Sequence, residues 1–387
     1  MCVILFVRYT LVRYNSNMNK TFLKAILVDV IEPDMNEDEA QNRLDELESL
    51  VTTFGGIVVV RKVQKRDTPH YQTFIGRGKL NEITAEAKEV GAKLLIVNNM
   101  LKPKQVYALS EICRPFEIEV WDRVDLILKI FAKHAQSTEA RLQIELASIK
   151  HMGPRIFGMG MELSRQGATG TSGSTASRGI GETNTEIMKR HLRKQVDRIS
   201  DKLKHYEIVR QGHRKRRKRQ NFKTVALVGY TNAGKSTILN RLTKKGAYAA
   251  NKLFATLDTR VGKLWLPEKN KEILVSDTIG FIRDLPPDLI KAFKSTLDES
   301  IEADVLLHVI DCGDFDVEKK IEVVEEILEQ LGAGDKEKIY IFNKVDNCIK
   351  RKEERLAKKY AQFKPVFISA SRGVYMDRLV KRLEEVV

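Results

Sequence analysis

The stretch GYTNAGKST, residues 229–237, sets two glycines, a lysine and a serine in the order GxxxxGK[ST]. It follows the apolar run TVALV and precedes a helical pattern. Glycines at this spacing let a loop turn its N–H groups inward onto phosphate oxygens, and the N-terminus of the next helix adds positive potential. On this reading Gly229, Asn232, Ala233, Gly234, Lys235, Ser236 and Thr237 form a phosphate cradle. Lys235 reaches the β and γ phosphates, and the Ser236 hydroxyl sits on Mg²⁺. A triphosphatase of this kind needs a second acid at the metal, and DTIG at 277–280 supplies Asp277 at the end of the next strong strand. Gly280 is then placed to give its backbone N–H to the γ phosphate. DxxG alone is a common pattern; behind a phosphate loop and at a strand end it becomes specific.

Base identity falls to NKVD, residues 343–346, at the end of another apolar strand. Asp346 can accept two hydrogen bonds from guanine donors that adenine lacks, and an unpaired carboxylate makes adenine costly. Asn343 ties the segment to the phosphate loop, and the Lys344 stem lies over the base. SAS, beginning with Ser369 and Ala370, follows a strand and is placed to put a backbone N–H on the guanine oxygen. Between the cradle and Asp277, NKLFATLDTR offers a threonine to close over Mg²⁺: Thr256, with Thr259 as the alternative. Such a segment orders with GTP and loosens with GDP. Four motifs in one order imply GTP and GDP as ligands.

The elements that position these residues follow from strand and helix alternation. From Lys223, TVALVGY, EILVSDT, VLLHVIDC, IYIFNK and PVFISA alternate with helical patterns, which predicts a doubly wound P-loop G domain over 222–387. Residues 23–123 alternate in the same way and predict an N-terminal parallel α/β domain, preceded by an extension, 1–22. The period changes to that of a helix after Val124. A Gly-rich loop over 153–182 then separates two helical stretches, which predicts a helical hairpin arm over 124–221. The fold class is therefore α/β with an inserted helical arm.

The 387 residues carry a formal net charge of +15, concentrated in runs such as HRKRRKRQ at 213–220. That concentration points to a polyanion, and the charge suits nucleic acid. Four cysteines lie far apart and the histidines show no ligand spacing, which predicts a reduced, cytoplasmic protein without structural zinc whose cysteines only pack. The apolar start is broken by Arg8 and Arg13, and no stretch is long enough to span a membrane. Met18 offers a second start.

GYTNAGKST, LFATLDTR and DTIGFIRDLP resemble the HflX family of GTPases. The resemblance extends through FIGRGKLNEI, VWDRVDLILKIFAKHAQSTEARLQIELASI and GMGMELSRQG, covering nearly all of the chain after Met18. It implies a GTPase that binds the large ribosomal subunit and ribosomal RNA through the N-terminal domain and arm, and that splits ribosomes under stress in some members. It also implies that Phe281 replaces a glutamine that aims water, with K⁺, held partly by Asn232, as a substitute source of charge. Slow intrinsic hydrolysis follows. The packing alternative for Phe281 and Asn232 stands beside that reading. Some relatives hydrolyse ATP through the N-terminal domain, but GRGK at 76–79 reads as a turn before a helix. Ile180 and Asn184 in GIGETNTE depart from the family's GPGE followed by Gln, which puts the loop's ribosome contact in question. A monomer is expected. The competing function is a GTP-switched RNA-binding scaffold in ribosome assembly that does not split ribosomes; a tRNA-modifying GTPase is disfavoured because no catalytic cysteine or redox-cofactor motif accompanies the G domain.

Overall fold

The computed structural model describes residues 22–166, 176–220, 222–243, 253–254, 260–286, 289–290, 293, 297 and 301–387. A four-stranded parallel sheet and a six-stranded mixed sheet are separated in sequence by a pair of long helices. The first sheet contains β1 (Leu23–Ile31), β2 (Gly56–Lys65), β3 (Leu94–Val97) and β4 (Glu119–Asp122) in the order β2-β1-β3-β4, all parallel. The apolar run AILVDVI becomes β1 because it is covered on both faces, as central parallel strands require. The crossover helices are α1 (Glu37–Phe54), α2 (Arg77–Val90) and α3 (Pro103–Cys113). Asn36 caps α1 by accepting from the Asp38 N–H at 3.1 Å, three acids fill the first turn, and Gly55 ends the helix at φ 103°.

Helix α4 (Arg123–His134) starts directly at the end of β4. Asp122 caps it and trades hydrogen bonds with Asp125, a reciprocal cap that fixes the turn from strand to helix. The arm consists of α5 (Thr138–Gln166) and α6 (Ala176–Arg219), which pack on each other. Here the expected loop over 153–182 is corrected: 153–166 and 176–182 are helical, and only 167–175 lie outside the described residues. Gly153 and Pro154 ought to stop a helix. Tertiary contact prevails because Arg155 is clamped between Asp122 and Asp125, at 2.6 Å to the latter, and His151 lies 3.4 and 3.3 Å from the same carboxylates. The backbone of Ile180 and Asn184 falls within α6.

The second sheet contains β5 (Thr224–Gly229), β6 (Arg260–Leu266), β7 (Lys271–Asp277), β8 (Val305–Asp311), β9 (Lys338–Asn343) and β10 (Val366–Phe367), ordered β10-β9-β8-β5-β7-β6. All neighbours are parallel except β6 and β7. Helices α7 (Lys235–Thr243), α8 (Val317–Gln330), α9 (Lys350–Lys359) and α10 (Met376–Val386) complete the layers. One apolar cluster joins the two halves. Phe131 of α4 meets Phe254 and Phe293 edge-on at 4.6 and 4.9 Å, among Leu289, Ile290 and Leu297. Among the described residues, no helix is long and apolar enough to cross a membrane.

The cysteines differ from expectation. Cys312 and Cys348 are joined as a disulfide, their Cα atoms 5.6 Å apart, while Cys113 is buried and free. Sequence separation hid the pair, because β8 and the turn after β9 meet only once the sheet forms.

Candidate nucleotide site

The phosphate loop is held by its own backbone demands. Gly229 leaves β5 at φ 148°, and a Cβ there would lie 2.2 Å from the Val309 carbonyl oxygen. Gly234 has φ 99°, and its Cβ would lie 2.2 Å from Asn343 Nδ2. Neither position can accept a side chain. Asn232 stands between them at φ 62° with its side chain exposed, whereas Ala233 is buried. The loop ends in the first turn of α7, with Lys235 buried and Ser236 and Thr237 half-buried.

Lys235 Nζ donates to the carbonyls of Gly229 at 3.0 Å and Tyr230 at 2.8 Å, which curls the loop around the ammonium group. Burial lowers its pKa to about 8, against the opposing pull of Asp277. The Ser236 hydroxyl donates to Asp277 Oδ2 at 2.6 Å, so the hydroxyl and carboxylate expected at a metal stand side by side. Gly280 is crowded by the loop, since a Cβ would lie 2.9 Å from Thr231 Cα and 3.0 Å from Lys235 Nζ. The next residue binds the loop directly. Phe281 N–H donates to the Gly229 carbonyl at 3.1 Å, and Thr231 N–H donates to the Phe281 carbonyl at 2.7 Å. The Phe281 ring points into the core with 2% exposure, packed with the cluster that holds Phe131. Thr256 and Thr259 lie outside the described residues.

Asn343, at the end of β9, spans two motifs. Its Nδ2 donates to the Ala233 carbonyl at 2.8 Å, and its Oδ1 accepts the Ala370 N–H at 3.0 Å. Lys344 takes φ 62° and pairs with Asp311 at 2.7 Å. Asp346 Oδ1 accepts the Ser369 hydroxyl at 2.6 Å, and that bond leads the lowering of its pKa. The amides foreseen as facing a base oxygen are engaged within the protein: Ser369 N–H donates to Val374 and Ala370 N–H to Asn343. Asn343 thus ties this segment to the loop before α7.

A polar cluster that sequence reasoning missed joins this site to the first sheet. Tyr230, the second residue of the loop, donates its hydroxyl to Glu46 Oε2 at 2.7 Å and accepts the Arg283 N–H at 2.8 Å. Arg123 pairs with Glu46, and its guanidinium also reaches Asn98 at 2.8 Å and the Arg283 carbonyl at 3.3 Å. Burial alone would raise the Glu46 pKa, but Arg123 and the Tyr230 hydroxyl outweigh it and hold the carboxyl ionised. Residues 46, 123 and 230 share no motif; only the assembled tertiary structure brings them together. Among the described residues, Asp122, Asp125 and His151 are also close enough to hold a metal ion, yet Arg155 already compensates both carboxylates.

Comparison with known proteins agrees with this geometry. Residues 41–132 match the family described as GTP-binding GTPase N-terminal, 134–217 its Middle Region, and 224–344 the family described as 50S ribosome-binding GTPase. The chain is 42% identical to a GTPase HflX of Caldanaerobacter subterraneus over 93% of this chain and 80% of that protein. It is 38% identical to the GTPase HflX of Escherichia coli over 94% of this chain and 82% of that protein. A crystal structure of SsGBP in complex with GDP shares the fold, with a TM-score of 0.52 at 24% identity over 94% of this chain and 98% of that one. With a phosphate loop, DTIG and NKVD placed at the ends of one sheet and relatives at this identity along most of its length, the chain belongs to the HflX family of GTP-binding, GTP-hydrolysing proteins.

Proposed function

We propose that the protein is a cytoplasmic, monomeric GTPase switch that docks on the large ribosomal subunit and its RNA, and that its GTP form separates ribosomal subunits. The observation that carries the partner is the basic end of α6, where His213, Lys215, Arg216 and Arg219 are all exposed. An exposed run of this kind neutralises phosphates and releases counterions. The match of 224–344 to a family described as 50S ribosome-binding supports the same partner.

Gly229, Asn232, Ala233, Gly234, Lys235, Ser236, Thr237 and Gly280 cradle the phosphates in this reading, and Asn343, Lys344, Asp346, Ser369 and Ala370 form the guanine side. The adjacent hydroxyl and carboxylate of Ser236 and Asp277 are hard oxygen donors that fit Mg²⁺, with Thr256 completing the set. When bound, Mg²⁺ supplies charge neutralisation across the β and γ phosphates. Phe281 presents no polar group to a water molecule, so intrinsic hydrolysis is slow; its backbone braces the loop instead. In this reading the exposed Asn232 shares K⁺ with the phosphates.

Sedimentation tests the partner. Protein loaded with a non-hydrolysable GTP analogue is expected to travel with the large subunit and to shift assembled ribosomes toward subunits. Stable association without that shift would favour an assembly scaffold, and protein remaining at the top of the gradient would refute the ribosomal reading.

A further inference from the structure

Cys312 follows the end of β8, and Cys348 follows the single turn Val345–Asn347 that carries Asp346. They stand 36 residues apart in sequence and 5.6 Å apart at Cα, within the range a disulfide spans without moving backbone. Both are wired into the guanine-side loop. Cys312 N–H donates to the Asn343 carbonyl at 2.9 Å, and its neighbour Asp311 pairs with Lys344. Cys348 N–H donates to the Val345 carbonyl at 3.1 Å. Gly313 packs so closely on Asn347 that a Cβ would lie 3.2 Å from its carbonyl oxygen. The turn's exit faces solvent, with Asn347 exposed and Ile349 76% exposed.

The two sulfurs differ in access. Cys312 is fully buried, whereas Cys348 is half-buried and meets a small reagent first. We propose that Cys312 and Cys348 form a reversible thiol-modification site for low-molecular-weight disulfides of the glutathione class, and that closing the bridge fixes the guanine-reading turn and slows nucleotide release. The inference rests on the guanine role given above to Asp346 and is independent of any ribosomal partner.

The exchange balances in two steps. The Cys348 thiolate attacks one sulfur of the small disulfide, forming a mixed disulfide and expelling one small thiolate, which takes up the proton Cys348 lost. The Cys312 thiolate then attacks the Cys348 sulfur, forming the protein bridge and expelling the second small thiol. Two protein thiols are oxidised and one small disulfide is reduced to two thiols. An excess of small thiol runs both steps backwards. Cys113 stays outside the exchange, because burial pushes its thiol up to about 11 and leaves almost no thiolate at neutral pH.

The test uses the full chain, reduced with dithiothreitol or treated with oxidised glutathione, with peptide mapping to locate the bridge. Release of a fluorescent GDP analogue is followed in both forms. Release from the bridged form is expected to be at least about fivefold slower, the low end of ordinary coupling between sites. Cys348→Ser and Cys312→Ser are each expected to give one release rate under both treatments. The proposal is overturned if no Cys312–Cys348 bridge forms, if bridged and reduced protein release GDP at the same rate, or if Cys348→Ser keeps a redox difference. If the bridge opens and closes but neither form binds the analogue, the guanine-site reading fails and the proposal falls with it.

Discussion

Replacing Asn343 with alanine tests how the nucleotide site is organised. The side chain is 2% exposed and makes two bonds, donating to the Ala233 carbonyl at 2.8 Å and accepting the Ala370 N–H at 3.0 Å. Both partners belong to buried residues, so the truncation strands one acceptor and one donor. Each stranded group costs about 1–3 kcal/mol, or about 2–6 kcal/mol together. For a unit of this size that lowers the unfolding midpoint by about 4–24 °C. The loss should also appear in binding, because the phosphate loop and the SAS segment are no longer coupled: release of a fluorescent GDP analogue should accelerate by at least tenfold, about 1.4 kcal/mol. Asn343→Asp is a sharper control. It keeps an acceptor for Ala370 N–H but sets a carboxylate oxygen against the Ala233 carbonyl, so it should be no better than alanine. A thermal melt and a stopped-flow release trace suffice. Wild-type values for both variants would refute the claim that Asn343 joins the two loops.

Four further outcomes follow from the same structure. Lys235 has its folded pKa lowered to about 8 from an ordinary 10.5, so its charged form opposes folding below that value and the free protein gains stability as pH rises from about 8 to 10.5. Phosphate binding restores the charge, so GDP binding should take up a proton near pH 8.5; calorimetry in buffers of different ionisation enthalpy reads this, and Lys235→Ala should lose both the proton and tight binding while keeping its circular dichroism. Arg155→Met strands two buried carboxylates at about 3–5 kcal/mol, measured by denaturant unfolding, with wild-type stability as the contrary result. Burial works against charge on His151, but Asp122 and Asp125 raise its pKa; the stability it lends is complete below the ordinary imidazole value and lost as pH rises through the raised one, a dependence that His151→Gln should remove. Tyr230→Phe and Glu46→Gln should show a coupling of roughly 0.5–3 kcal/mol in a double-mutant cycle, and strict additivity would deny that their 2.7 Å hydrogen bond joins the two halves.

Much of the candidate site could be read from sequence because each motif sits at the end of an apolar run. Gly229, Asp277 and Asn343 end β5, β7 and β9, and parallel strands bring such ends to one edge of a sheet. What escaped was long-range or locally contradictory. Strand β6 is hidden in the sequence although its burial alternates from Gly262 to Leu266, because an antiparallel edge strand breaks the expected strand and helix rhythm. The continuation of α5 past Gly153 and Pro154 depends on Arg155 finding Asp122 and Asp125 some thirty residues earlier in the chain. Glu46 and Tyr230 lie 184 residues apart, and nothing in either neighbourhood names the other. The Cys312–Cys348 bridge likewise needs β8 and β9 side by side before it is visible.

Coupling of GTP turnover to the large ribosomal subunit is tested directly by turnover of the full chain with and without purified large subunits, in KCl and in NaCl. Slow hydrolysis alone, strong stimulation by subunits, and faster turnover in KCl through Asn232 are the expected results. Turnover indifferent to subunits would leave a GTPase of this family whose partner lies elsewhere and would contradict the account.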